Sequence, residues 1–188
     1  MYILETFVQN LCGEFNNDEQ IKRQGESGRI IHPQACHING ICNHKIKDLP
    51  KNFKGYFVIE ESYYEQKGRK NSLPHLFLFT LDKNNKVVLE SYEIPKSISP
   101  ENFRNNNQNL KMDYKELKKS EKFNPMIYDE ENGLFTGESV SMVSPVTKFI
   151  LKERVEDDIL YVSEVFYKDN KKNFGFEDPI IYKRAGNL

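Results

Sequence analysis

Apolar residues come in short ordered runs along the chain, and the longest that reads both as a strand and as a site is residues 55–65, GYFVIEESYYE. Successive side chains of a strand take opposite faces, so Phe57, Ile59, Glu61 and Tyr63 share one side and Tyr56, Val58, Glu60, Ser62 and Tyr64 the other. Each face holds apolar residues and one acid. That pattern suits the wall of a hollow barrel with an internal pocket, and it also suits an ordinary strand whose acids reach solvent.

The same patterning predicts the neighbouring elements. Ile3, Leu4, Phe7, Val8 and Leu11 recur at helical spacing, which predicts an amphipathic helix over residues 2–12 with Gly13 as its stop. Residues 15–29 are polar and read as a loop, with Asn16, Asn17 and Asp18 as turn or capping residues. Two apolar runs, residues 76–81 and 86–94, flank the turn residues 82–85 and predict a β-hairpin. Residues 97–122 change character: Ser99-Pro100-Glu101 resembles an N-cap, and residues 110–122 are rich in Lys, Glu and Leu, so short surface helices are expected. The run 105–109 reads as a solvated loop. Strands return at 134–142, interrupted by Gly137, at 147–155 and at 159–167, the last two forming a second hairpin across 156–158. Residues 178–182 supply a closing strand that Pro179 can begin but not continue. Eight to ten antiparallel strands follow, and a closed barrel disposes of their edges. The expected fold is mainly β: a closed antiparallel barrel with an N-terminal helix and short helices between strands.

Composition narrows the partners. At 188 residues the chain is long enough for one domain, 1–188, with a substantial core. With 27 Lys+Arg against 28 Asp+Glu the net charge is −1, so no global field favours nucleic acid or an anionic membrane. The mean hydropathy of −0.70 comes from Lys and Asn, while the apolar residues stay in ordered runs, so the chain folds. No segment has the length to span a bilayer, and residues 1–11 lack the basic start and apolar core of a signal peptide. Cys12, Cys36 and Cys42 are an odd, sparse set that fits a reducing compartment, and a cytoplasmic location is expected.

HPQACHINGICNHKI carries three of the four histidines and two of the three cysteines. As one extended strand it holds Cys36 and Cys42 on one face about 20 Å apart, too far to share an ion. A tight Asn39-Gly40 hairpin would instead set His37 opposite Cys42 and make a metal conceivable. The spacing matches no standard zinc pattern, so a half-buried strand is preferred and no metal site is assigned.

The order of motifs carries a resemblance. GEFNNDEQ after the first helix, HINGIC, GYFVIEESYY, LPHLFLF, VVLESYEIP, GLFTGES, LYVSEVFYK and NFGFEDPIIYKR together resemble the CpcT/CpeT family of phycobiliprotein chromophore lyases over nearly the whole chain. The resemblance implies an antiparallel β-barrel of calycin type, lipocalin-like in shape, that holds a phycobilin non-covalently and delivers it to a cysteine of a phycobiliprotein β-subunit. It also implies a homodimer. Such a ligand has pyrrole N–H donors, which call for a carboxylate, and two propionates, which call for cations. Glu60 and Glu61 lie on opposite faces, so one points inward whatever the register, and an acid beside the ring nitrogens would polarise the exocyclic double bond for thiol addition. These two are the candidate catalytic residues. Tyr63, Tyr64 and Tyr92 would supply aromatic walls and hydroxyls. His75 stands alone among the apolar residues of LPHLFLFTL and is either a self-satisfied histidine or a further ligand contact.

Two features depart from the family pattern. Neither LPHLFLFTL nor HINGICN carries the arginine common there, and a pocket with fewer cations suits a less acidic ligand than a bilin. A barrel carrying another hydrophobic molecule without catalysis therefore stands as the alternative, beside a filled barrel that works through its surface.

Overall fold

The computed structural model describes residues 3–66 and 68–187. In chain order the elements are α1 (Ile3–Leu11), β1 (Gly13–Asn16), α2 (Asp18–Glu26), β2 (Gln34–Ile41), β3 (Ile46–Lys47), β4 (Tyr56–Gln66), β5 (Arg69–Leu81), β6 (Val87–Tyr92), β7 (Met112–Asp113), β8 (Met126–Glu131), β9 (Leu134–Ser144), β10 (Thr147–Val155), β11 (Ile159–Lys168), β12 (Lys171–Gly175) and β13 (Ile180–Gly186). Ten strands pair antiparallel in the order β10-β9-β8-β6-β5-β4-β2-β1-β13-β11, and β11 pairs back onto β10 to close the ring. This is the closed antiparallel barrel expected from the strand pattern, with the lipocalin-like form that the resemblance implies. β12 lies outside the ring on β11, while β3 and β7 form a separate parallel pair.

Helix α1 plugs one end. Its stripe of Leu4, Phe7, Val8 and Leu11 is buried in the interior core, and the Phe7 ring lies 5.2, 4.6 and 5.1 Å from the rings of Phe79, Tyr128 and Phe135 on β5, β8 and β9. Tyr2, the first residue of the expected helix, lies outside the described residues. The carbonyls that end the helix have no intrahelical partner and need other donors. Arg184 of β13 supplies them, donating to Asn10 O at 2.9 Å and Cys12 O at 2.6 Å while holding the Asp158 carboxylate at 2.7 Å. Gly13 is obligatory there: its φ is +141°, and a Cβ would collide with the Arg184 guanidinium.

The polar segment after Gly13 is not a loop. It holds β1 and α2, and the side chains of its GEFNND motif fasten them. Asn17, fully buried, donates to Pro33 O at 2.9 Å and accepts from Ala35 N at 2.8 Å. Gln20 donates to Pro179 O at 3.0 Å and accepts from Ile181 N at 3.1 Å, tying α2 to β13. Helix α2 buries no residue, so it has no apolar stripe to announce it.

Asn39-Gly40 makes no hairpin. β2 runs straight through it, pairing Asn39 with Glu60 of β4 and with Gly13 of β1. The hairpin β5–β6 turns at 82–86, where Asp82 N donates to Lys86 O. β5 starts earlier than its apolar run, at Arg69, and its first residues pair only with β4, since β6 ends opposite Leu76. Pro74 is tolerated in this strand because its unpaired side has no neighbour. Gly137 lies within a continuous β9, where a Cβ would press on Met126 and Tyr128 at 2.9–3.0 Å.

A second core lies outside the ring. Residues 93–125 cross the outer wall of β4–β6, and Phe103, Leu110 and Met112 bury Phe57, Ile59, Leu76 and Leu78 together with Cys42 and Ile46. Of the helices expected in 97–122, the described residues hold one 3₁₀ turn, Tyr114–Glu116. The segment is drawn out by pairing instead: Met112 with Ile46, Lys119 with Tyr92, and Ser120 N donating to Ser91 O at 2.8 Å.

Candidate ligand site in the barrel interior

Closure of the ring decides which face of each strand is inside. On β4 the inward set is Tyr56, Val58, Glu60, Ser62 and Tyr64; on β5 the register brings His75 opposite Glu60 and Phe77 opposite Val58. Glu60, Tyr64 and His75 are thus brought to the interior. The structure sets Glu61, Tyr63 and Tyr92 on the outer wall, because they belong to the opposite parity, which the strap 93–125 covers.

Glu61 is engaged there as an anchor. Only 3% exposed, it accepts from Tyr63 OH at 2.5 Å and from Asn105 N and Nδ2 at 2.7 and 2.9 Å, with Arg104 Nε at 3.4 Å. Asn105 Nδ2 also donates to Ile38 O at 2.9 Å, so the first residue of the expected solvated loop is a structural tie. Burial, then this bond to Glu61, raises the Tyr63 phenol to about 12. Tyr92 packs edge-on against Phe57, ring centres 5.2 Å apart.

Inside, Glu60 has company. Glu153 of β10 and Glu164 of β11 take inward positions in the sets Phe149, Leu151, Glu153, Val155 and Leu160, Val162, Glu164, Phe166, where Leu151 pairs with Glu164. Burial raises all three carboxyls, Glu60 to about 7, Glu153 to about 8 and Glu164 to about 7, and the charge of Glu60 pushes the other two further. Tyr128 OH donates to Glu153, and Tyr64 OH to Glu164 at 3.3 Å. Ser62 Oγ donates to Glu60 at 3.1 Å, and His37 Nδ1 lies 3.6 Å from Glu60. Burial lowers His37 to about 3 and His75 to about 4, so both rings are neutral.

Hydrogen bonding in this floor is incomplete. Both ring nitrogens of His37, Oδ1 of Asn39 and the hydroxyl of Tyr182 are buried without a hydrogen-bond partner among the described residues. Above them opens a cavity of about 550 Å³, lined by Tyr64, Tyr182, Glu164 and His75 below and by Phe77, Phe123, Phe149, Phe166, Phe174 and Phe176 around. Its size is that of a small-molecule site. Arg69 at the rim is the one Lys or Arg among the described residues that line it. Leu73 and Phe174, half or more exposed, stand at the same rim. The open end is opposite α1.

Glu153, Glu164, Tyr128 and Tyr182 were not singled out from the sequence, and His37 was weighed there only as a conceivable metal ligand. A signal for the first two exists: each is one acid inside an otherwise apolar alternating set, the pattern that marks Glu60. Among the described residues no group of His, Cys, Asp and Glu is arranged to hold a metal ion. Cys36 and Cys42 are free and far apart in environment, the first half-buried and the second in the outer core. No described helix is long and apolar enough to cross a membrane.

Comparison with known proteins finds no matching family model, no matching curated protein and no matching solved structure. The CpcT/CpeT reading therefore rests on the motifs in the chain, and several of those motifs, Asn17, Gln20 and Glu61 among them, have structural work in this fold.

Proposed function

We propose that the protein is a small-molecule-binding barrel that takes an elongated, largely apolar ligand through the rim opposite α1. The observation that carries this reading is the 550 Å³ cavity with aromatic walls and a polar floor. Burying an apolar body against those walls supplies the binding energy, and the floor orients it. Uptake of the neutral fluorescent probe N-phenyl-1-naphthylamine tests it. The probe brightens and shifts blue on binding, and Ser139→Phe, which fills the cavity, abolishes the change while far-ultraviolet circular dichroism stays native. An unchanged signal in that variant places the probe elsewhere and refutes the reading.

A second reading is that the ligand is a linear tetrapyrrole and the protein a bilin lyase or chaperone. Buried carboxyls beside the cavity offer acceptors for pyrrole N–H groups, and Arg69 at the rim offers a partner for a propionate. The partner thiol of a phycobiliprotein β-subunit would then add to the exocyclic double bond, so neither Cys36 nor Cys42 is needed. Mixing with phycocyanobilin or phycoerythrobilin gives a red-shifted, intensified absorption on this reading, and an unaltered spectrum sinks it.

A further inference from the structure

We propose that the floor of the cavity is a cation site: it receives the protonated nitrogen of an amphiphilic amine whose apolar body fills the aromatic chamber. Glu164 is the direct anionic partner and Glu60 the charge behind it. The proposal rests on the cavity reading above and adds the chemical class of its occupant.

Three observations point the same way. Glu164 lines the cavity, and Tyr64 OH, at 3.3 Å from its Oε2, gives the carboxylate one long hydrogen bond. The hydroxyl of Tyr182, 0% exposed and in the cavity wall, has the Tyr64 phenol beside it but forms no hydrogen bond of good geometry among the described residues, and neither ring nitrogen of His37 forms one. The His37 and Tyr182 rings are 4.2 Å apart, and His37 Nδ1 lies 3.6 Å from Glu60, so the unpartnered groups and the acids form one cluster. Buried polar groups are almost always paired, and each unpaired one costs free energy.

The sign of the charge follows from what faces the cluster. β4 contributes Glu60 and Tyr64, β10 contributes Glu153, β11 contributes Glu164, β13 contributes Tyr182, β2 contributes His37 and β5 contributes His75. All are acids, phenols or neutral imidazoles, and among the described residues the one Lys or Arg lining the cavity is Arg69 at the rim. Acceptors thus outnumber donors at the floor. An ammonium brings up to three N–H donors and a positive charge, whereas a carboxylate brings neither. In a site shielded from water a charge-assisted hydrogen bond is the stronger kind, so the floor selects amine over alcohol and alcohol over acid. Tyr182 accepts from the bound nitrogen, with His37 packed behind its ring, and no covalent bond forms or breaks on capture.

Displacement of N-phenyl-1-naphthylamine by decylamine, decanol and decanoate at pH 8 tests the assignment, because the three share one apolar chain. Decylamine is expected to compete about tenfold or more better than decanol, with decanoate weakest. Glu164→Gln, checked as folded by circular dichroism, should bring the decylamine-to-decanol ratio to within about threefold, and Glu60→Gln should lower it in part. Probe uptake with decylamine and decanol equal in the unaltered protein overturns the cation site and leaves the cavity reading standing. A preference that survives in both variants overturns it as well, since the amine is then held elsewhere. Absence of any probe uptake overturns the cavity reading and, with it, this one.

Discussion

Three raised carboxyls in one interior make an unusual residue-scale prediction about pH. A Glu whose folded-state value lies above its unfolded one holds its proton better when folded, so its contribution is complete below about 4.5 and is lost as pH rises through 7 to 8. His37 and His75 act oppositely. Their lowered values mean that the unfolded chain takes up protons first, so their contribution is complete above about 6.5 and is lost on acidification. Between pH 6.5 and 8.5 the acids dominate, and the last of the histidine titration in the unfolded chain offsets a small part of their effect. Urea denaturation should therefore give a stability that falls by about 3 kcal/mol across that window, at about 1.4 kcal/mol per proton and pH unit. Glu153→Gln should flatten the fall and raise stability at pH 8.5, because the amide still accepts from Tyr128 OH and carries no charge. An equal slope in the variant would mean that Glu153 is ionised at no cost. Glu61, the neighbour of Glu60 in sequence, matters as a hydrogen-bond acceptor: Glu61→Ala should cost about 3 kcal/mol by leaving Tyr63 OH and Asn105 N without their acceptor and Arg104 without its ion pair.

At the scale of elements, legibility followed the physical signal available. Every long barrel strand alternates, and α1 has an apolar stripe, so these could be read from the chain. β1 is four residues long, too short to alternate convincingly, and α2 has no buried face; side-chain bonds from Asn17 and Gln20 hold both, and such bonds leave no periodicity. Residues 110–122 have helical composition, yet a short helix is marginal alone, and cross-chain pairing at Met112, Lys119 and Ser120 outcompetes it. The site was half legible for a related reason. Alternation says which residues share a face but not which face closure turns inward, so Glu60 and Tyr64 could be grouped against Glu61 and Tyr63 without either group being placed. Two element-scale predictions follow from the ties just named. Arg184→Ala removes the donors that end α1 and should destabilise by about 2 kcal/mol or more, with Arg184→Lys recovering little because one ammonium cannot reach both the helix carbonyls and Asp158. Gly175→Ala should loosen β12 from the rim: φ at Gly175 is +93°, and a Cβ would collide with the Glu164 carbonyl. Phe174 and Phe176 flank that glycine and line the cavity, so the variant should weaken binding of the naphthylamine probe more than it lowers the melting temperature.

For the whole molecule the open question is the outer wall. A barrel interior cannot absorb 13 Phe and 10 Tyr, and the surplus on β4–β6 would be an interface patch if it stood bare. It does not stand bare: the strap 93–125 covers Phe57, Leu76, Leu78 and Tyr92 with Phe103, Leu110 and Met112. The chain supplies from its own sequence the cover that a two-fold partner would otherwise provide. Among the described residues the large apolar side chains left exposed are Ile30 and Ile31 after α2, Ile41, Leu81, Ile127 on β8, Val140 and Met142 on one face of β9, and Val146, besides Leu73 and Phe174 at the cavity rim. Spread over so many elements, they fall short of the contiguous core that stable interfaces bury. Light scattering should therefore give a mass near 22.1 kDa that holds over about a hundredfold dilution. A doubled mass would contradict this, and Met142→Lys then locates the contact: dissociation by that variant places the partner on β8–β9, whereas a persistent dimer means that the strap itself is shared or displaced between two copies.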